Sequence, residues 1–396
     1  MAERRKVGAK ALLVGSSFSA LPILIYLKSQ GLHVTVCGNL KSDSCVSWAD
    51  EYFELDYSQP ELVLDLFRER KFDFIVPSCN DAAIETASIV AHEYNLPGFD
   101  SPKTLTKIQN KNEFRSICQK LELNIPNYAY FDKAKSSLEK IREIGFPLLL
   151  KPTKQFSGRG IYKITSDSEL EVAIERNDLT DDYLAEEYLE GSLHSHSAFI
   201  HSGKIMNEFF ADEFCNAYMF QVDCSNSPSI LPSGIQERVS AQVSTLIESL
   251  KLVDGLLHTQ FIVKENKPYL IEAMRRCPGD LFPEMIKQSF GFNYIENYTN
   301  PFIDKSVGVS FTSESTKYIA RHTISVKSEK PFVFVRLLLE NYINYTFYPL
   351  KLSGEKLLSA PFDKAAILFL EFESLVELEE VTPKLNEFTV LSDNIE

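Results

Sequence analysis

Short apolar runs alternate with amphipathic stretches over the first hundred residues of the chain. Residues 10–14 (KALLV), 33–37 (HVTVC) and 72–77 (FDFIVP) read as buried strands, and 20–29, 60–70 and 81–94 as helices between and after them. That alternation predicts parallel βαβ units and an open α/β domain over residues 1–100. From 101 the pattern turns helical, with Ser101-Pro102 as its start and Pro126 as its close. Residues 148–151 and 161–164 read as strands around a polar, glycine-bearing loop at 153–160, followed by a helix at 168–176 and a strand at 183–187. A hairpin is expected at 196–200 and 204–210, a helix at 236–250, and paired strands at 258–264 and 268–272. After 299 the pattern is mostly strands, including 365–372, which predicts a small β-rich C-terminal domain over 301–396. No internal repeat interrupts this order.

Composition narrows the class without naming a chemistry. At 396 residues, 44% hydrophobic and 24% charged, the chain has room for two or three ordinary globular domains. A net charge of −14 leaves no basic surplus to neutralise a phosphate backbone, which argues against nucleic acid as a partner. A local Lys/Arg cluster for a small anion is still allowed. Glu371, Glu373, Glu377, Glu379 and Glu380 read as a solvated face. Seven scattered cysteines without a CxxC pair point to reduced thiols rather than a disulfide frame or a zinc site. The basic N-terminus MAERRKVGAKALLVG has too short an apolar run for a signal peptide, and no run approaches the roughly 20 residues that span a bilayer. The expectation is a cytoplasmic protein with no membrane partner.

Four segments carry candidate chemistry, in fixed order. Lys111 stands in IQNKNEF. Lys151-Pro152 closes an apolar strand and is followed by Ser157-Gly158-Arg159-Gly160. Glu186-Glu187-Tyr188-Leu189-Glu190-Gly191 ends the next strand. His258-Thr259-Gln260 precedes Glu272-Ala273-Met274-Arg275-Arg276. A lysine projecting from a buried strand puts a cation into a low-dielectric cleft, where it pulls strongly on phosphate. Ser157, Gly158 and Gly160 suit a loop whose backbone N–H groups close over phosphate oxygens, with Arg159 adding charge. Gln260 and Glu272, on neighbouring strands, can present oxygens to Mg²⁺. Arg276 can grip a developing acyl phosphate through a bidentate fork. Taken singly each feature has an ordinary reading: a strand end, a solvated strand edge, surface histidines at 194, 196 and 201, or a structural Cys277 before a Pro-Gly turn. Gly15-Ser16-Ser17 is a tight strand-to-helix turn, a candidate contact for a substrate carboxylate, but not a GxGxxG dinucleotide site.

The ordered conjunction resembles the ATP-grasp superfamily, in particular its branch of biotin carboxylase, carbamoyl phosphate synthetase and the L-amino-acid ligases. The resemblance runs from the first domain to about residue 300. It implies an N-terminal α/β domain, then a two-part ATP-grasp domain over 101–300 with a hinge near 185–191. It implies that Lys111 and Lys151 contact ATP phosphates, Lys151 also lying near the adenine. Glu186 would contact the adenine amino group, and the Glu187 and Leu189 backbones would pair with the ring. Gln260 and Glu272 would hold Mg²⁺ and Arg276 would stabilise the acyl phosphate. Three positions depart from the family pattern. Met274 replaces the usual Asn, Gln260 stands where Glu is commoner, and the ribose-binding Glu has no counterpart, Leu193 and His194 occupying that place. The implied reaction is an ATP- and Mg-dependent joining of a small carboxylate to an amine, with the 153–160 loop as a lid. Arg275, Arg276 and Asp280 point to an amino-acid-like substrate, with Asp212, Glu213 and Arg238 as weaker candidates for the same cleft. A bicarbonate-using carboxylase and a nucleotide sensor without turnover are the alternatives. A homodimer is expected only by analogy with the family.

Overall fold

The computed structural model describes residues 8–131, 135–153, 158, 160–175, 183–308, 311, 316–339 and 344–392. The N-terminal part runs β1 (Lys10–Val14), α1 (Leu21–Ser29), β2 (His33–Gly38), β3 (Glu51–Glu54), α2 (Pro60–Arg70), β4 (Phe74–Pro77) and α3 (Asp81–Tyr94). Its strands form a parallel sheet in the order β3-β2-β1-β4. Helices cover both faces, so the strands are near-continuously apolar, as parallel sheets require. β3 was not legible as a strand: EYFE is an edge strand with charged ends and half-buried rings. After β1 the chain reverses at Gly15 (φ +97°), where a Cβ would run into Ser78 of the neighbouring strand end. Only glycine fits there.

The helical stretch expected from 101 is two helices, α4 (Pro102–Gln109) and α5 (Lys111–Lys120). Asn110 breaks them apart, because its side chain accepts from the N–H groups of Asn112 (3.0 Å) and Glu113 (3.1 Å) and so caps α5. A small antiparallel sheet follows, built from β5 (Tyr128–Phe131), β6 (Leu148–Pro152), β7 (Tyr162–Ile164) and β8 (Tyr183–Glu187) in the order β5-β8-β6-β7. Helices α6 (Lys135–Ile144) and α7 (Asp167–Glu175) accompany it, and Ile141 and Leu170 bury against Leu148, Leu150 and Ile164.

The main body is one long antiparallel sheet. It contains β9 (Ser192–His201), β10 (Lys204–Phe214), β11 (Cys224–Ser227), then, after helix α8 (Ser233–Leu250), β12 (Gly255–Lys264) and β13 (Lys267–Met274). Helices α9 (Phe282–Phe290) and α10 (Tyr294–Thr299) lead to β14 (Tyr318–Ile324), β15 (Lys330–Pro331), β16 (Phe334–Leu337), β17 (Tyr345–Pro349), β18 (Lys356–Leu357) and β19 (Ala366–Phe372). Helix α11 (Leu375–Val381) and β20 (Thr389–Ser392) complete the chain. Strand order in the large sheet is β13-β12-β9-β10-β11-β14-β19-β17. Among the described residues those after 301 thus add three strands to this sheet, and the pairs β15-β18 and β16-β20 stand apart from it. The apolar stripe of α8 (Ile235, Val239, Val243, Leu246, Ile247) covers one face of the sheet. On the opposite face Phe199, Phe209 and Leu256 join a second apolar cluster, while Glu213, His258 and Gln260 line a cleft.

Two buried connections fix the N-terminal part to this body. Arg275 donates to Asp100 (2.6 Å), and the Tyr298 hydroxyl donates to the carbonyl of Pro77 at the end of β4 (3.0 Å). One apolar cluster joins Leu13, Ile23 and Leu24 to Phe282, Phe292 and Tyr294. The ends of the parallel strands are thereby held against the face of the large sheet opposite α8. Among the described residues no helix is long and apolar enough to cross a membrane.

Candidate active site

The N-cap at Asn110 makes Lys111 the first residue of α5, and Arg115 follows it one turn later on the same side. Lys151 is the next-to-last residue of β6, and Glu186 that of the paired strand β8. Glu186 is 1% exposed. Its carboxylate accepts from Lys151 Nζ (2.6 Å) on one oxygen and from Arg115 Nε (2.7 Å) on the other. Burial pushes the Glu186 carboxyl up, but Arg115 and Lys151 outweigh it and bring it down to about 2. Arg115, 2% exposed, spends a further nitrogen on the carbonyl of Ile271 (2.7 Å). Burial lowers Lys111, against an opposing pull from the Glu272 carboxylate. A basic cleft floor is therefore organised around one buried carboxylate. Arg115 was missed in the sequence, although its spacing from Lys111 was the available signal.

Several nucleotide contacts implied by the resemblance change in detail. The Glu187 N–H donates to the Asn127 carbonyl (2.8 Å) and its side chain accepts from Lys264 (3.1 Å), so that N–H cannot also pair with a base. The Leu189 N–H has no partner among the described residues, and Leu189 lines the cleft. His194 lies against Phe261, its two ring nitrogens occupied by Asp212 (2.8 Å) and Ser192 (2.6 Å). It therefore acts as a wall, with no ring nitrogen left for a ribose. Gly158 (φ +72°) sits where a Cβ would meet the Phe220 carbonyl, and its own carbonyl accepts from Tyr218 (3.1 Å). Gly160 turns the chain at φ +68° toward β7 and does not line the cleft. Ser157 and Arg159 lie outside the described residues.

In the same cleft, Gln260 on β12 pairs in register with Glu272 on β13. The Glu272 carboxylate has no hydrogen-bond partner among the described residues, and Gln260 Nε2 donates to Glu213 on β10 (2.6 Å). Glu213 is 5% exposed, and burial pushes its carboxyl up to about 7 against the pull of Arg321 and Gln260. Met274, two residues past Glu272 on the same strand, offers no oxygen. Among the described residues no cluster of three or more His, Cys, Asp or Glu side chains forms a metal cage. A half-buried, unbonded carboxylate beside an amide oxygen still suits Mg²⁺, which takes few protein oxygens and completes its octahedron with phosphates and water.

Arg276 is placed differently from the sequence expectation. Its fork is already bidentate on Asp81, the first residue of α3 (Nε–Oδ1 2.6 Å, Nη2–Oδ2 2.9 Å). Burial would lower the guanidinium, but Asp81 and Glu272 more than reverse this and raise it. The side chain lines the cleft and keeps N–H donors beyond those aimed at Asp81. Arg275 is buried in the opposite direction, bound to Asp100 and to the carbonyls of Leu256 (2.6 Å) and Val253 (2.8 Å), and cannot grip a substrate. Arg238 is likewise outside, donating to the Asn266 carbonyl (2.7 Å). Asp280 does line the cleft, between Arg321 of β14 and Lys364 in the loop before β19. Burial raises its carboxyl, and the two cations outweigh this and lower it.

One cavity of about 1090 Å³ lies between the N-terminal sheet, the small sheet and the large sheet. It contains Lys111, Lys151, Glu186, Glu272 and Arg276 together, with Ser17 and Asp81 entering from the N-terminal part.

Residues 108–279 match the ATP-grasp domain model, and this segment of the chain is an ATP-grasp domain. The chain is 28% identical over 168 residues to a formate-dependent phosphoribosylglycinamide formyltransferase of Prochlorococcus marinus (strain MIT 9515), covering 42% of this chain and 43% of that one. It is 24% identical over 234 residues to the carbamoyl phosphate synthase large chain of Deinococcus radiodurans, covering 57% and 21%. The matched stretch thus spans less than half of either relative. The fold is similar to that of an L-amino acid ligase from Bacillus licheniformis (TM-score 0.79, 19% identity, 98% of this chain and 100% of that one). The α/β class and the ATP-grasp architecture expected from the sequence are both borne out.

Proposed function

We propose that this protein is an ATP- and Mg²⁺-dependent ligase that activates a small carboxylate as an acyl phosphate and transfers the acyl group to an amine. The observation that carries this reading is a single cavity that brings Lys111 and Lys151 together with the Gln260–Glu272 pair and Arg276, with Glu272 close enough to Lys111 to act on its charge. Lys111 and Lys151 would bind the ATP phosphates, with Glu186 and Arg115 holding Lys151 in place. Gln260 and Glu272 would hold Mg²⁺, which would supply positive charge to offset that of the phosphates. The substrate carboxylate oxygen attacks the γ-phosphorus, forming a new P–O bond as the bond to ADP breaks. The amine nitrogen then attacks the acyl carbon, loses a proton, and expels phosphate. Arg276 is anchored by Asp81, so its remaining N–H donors meet developing negative charge from a fixed position. Such preorganisation is the main source of catalysis in this kind of transfer.

Asp280 between Arg321 and Lys364 gives the cavity both signs of charge. This favours a zwitterionic, amino-acid-like substrate, its amine toward Asp280 and its carboxylate toward the cations. The test is ADP and phosphate release from Mg-ATP across a panel of amino acids, short carboxylates and bicarbonate, each with and without an amine. The expected result is release that requires one carboxylate and rises with one class of amine. Release with bicarbonate alone would favour a carboxylase. Nucleotide binding with no release from any member of the panel would favour a sensor.

A further inference from the structure

We propose that Glu213 is a positioning residue that turns the Gln260 side-chain amide so that its oxygen, not its nitrogen, faces the divalent cation. The inference rests on the ligase reading, since it concerns that reading's metal site. A glutamine is an ambiguous ligand: its two ends have nearly the same shape, and only the oxygen can bind a hard cation. A glutamate at the same place would present an oxygen whichever way it rotated. Something in this chain must therefore choose the end.

The large sheet provides the choice. Gln260 lies in register with Glu272 on one neighbouring strand and with Ser195 of β9 on the other. Glu213 stands one strand further, on β10, and is nearly sealed from solvent. Its Oε2 takes the Gln260 Nε2 at 2.6 Å, the short distance of a charge-assisted bond. With the nitrogen committed toward β10, the amide oxygen is left on the β13 side, where the Glu272 carboxylate lies. The arrangement matters more here because Met274 supplies no oxygen. Gln260 and Glu272 then make up the protein's side of the site, and a flipped amide would remove half of it. Partners of this kind, one bond removed from the ion, typically govern about 10–100-fold in metal affinity.

The test uses Mn²⁺ as a paramagnetic probe, titrated into the purified full chain with ADP at pH 8 and followed by electron paramagnetic resonance. Glu213→Gln is expected to weaken Mn²⁺ binding by about 10-fold or more. The double variant Glu213→Gln, Gln260→Glu is expected to recover it, because a carboxylate at 260 needs no orienting partner. A merely structural role for Glu213 would not be rescued at position 260. Unchanged Mn²⁺ affinity in Glu213→Gln, or a double variant no tighter than the single one, overturns the proposal while leaving the ligase reading intact. Failure of the unsubstituted chain to bind Mn²⁺ with ADP overturns both.

Discussion

Replacing Glu272 by Ala should lower ADP formation by about 10²-fold or more while leaving the protein folded. Glu272 is half-buried, has no hydrogen-bond partner among the described residues, and pairs in register with Gln260. No hydrogen bond or ion pair among the described residues depends on its side chain, so its removal costs little stability. Its charge, however, serves two neighbours. It opposes the burial that lowers Lys111, and it helps raise Arg276. Without it the proposed site loses a carboxylate that has no hydrogen-bond partner among the described residues and acts on Lys111, and Met274 offers no side-chain oxygen in its place. Steady-state ADP release and circular dichroism measured on the same sample separate the two effects. An Ala variant that turns over within a few-fold of the unsubstituted chain would remove Glu272 from the metal site.

The second large effect is on stability. Glu186→Gln should destabilise the protein by about 3–5 kcal/mol, because it leaves Arg115 and Lys151 without the carboxylate that offsets their burial. The contrast is an exposed pair such as Arg68–Asp65, whose removal should cost no more than about 1 kcal/mol. The pH dependence follows from the same group. Its folded-state value is depressed from 4.5 to about 2, so its contribution, about 3 kcal/mol, is fully present above pH 4.5. It is lost as pH falls from there toward 2. Urea melts at pH 7 and pH 3 check both statements. The gap between Glu186→Gln and the unsubstituted chain should be wide at pH 7 and narrow at pH 3. An equal gap at both would mean that the carboxylate charge is not what stabilises this cluster.

What could be read from the sequence was whatever is encoded locally. The βαβ order of the first domain follows from apolar runs and helix starts, and α2 and α3 fall on the predicted residues. The four motif segments were legible because each packs its chemistry into a few neighbouring positions. Long-range pairings were not. Asp81 and Arg276 meet across 195 residues, and Arg115 reaches Glu186 across 71. Nothing at either end of these pairs specifies the other. The joining of β14, β19 and β17 to the large sheet is equally a matter of strand register between distant segments. Besides the spacing of Arg115 from Lys111, two other misses did leave a local signal. Asn110 followed by Glu113 marks a helix start inside what was read as one helical stretch. Arg275 and Arg276 are adjacent just beyond a strand end, where neighbouring side chains tend to point to opposite sides, so only one of them could enter the cleft.

The central claim is that a carboxylate becomes an acyl phosphate in this cavity, and isotope transfer tests it most directly. The substrate carboxylate found in the turnover panel would be labelled with ¹⁸O and supplied with Mg-ATP and the amine, and the released phosphate analysed by mass spectrometry. The mechanism places one carboxylate oxygen between the acyl carbon and phosphorus, so each turnover should deliver one ¹⁸O atom to phosphate. Unlabelled phosphate alongside product formation, or release of AMP and pyrophosphate, would contradict it.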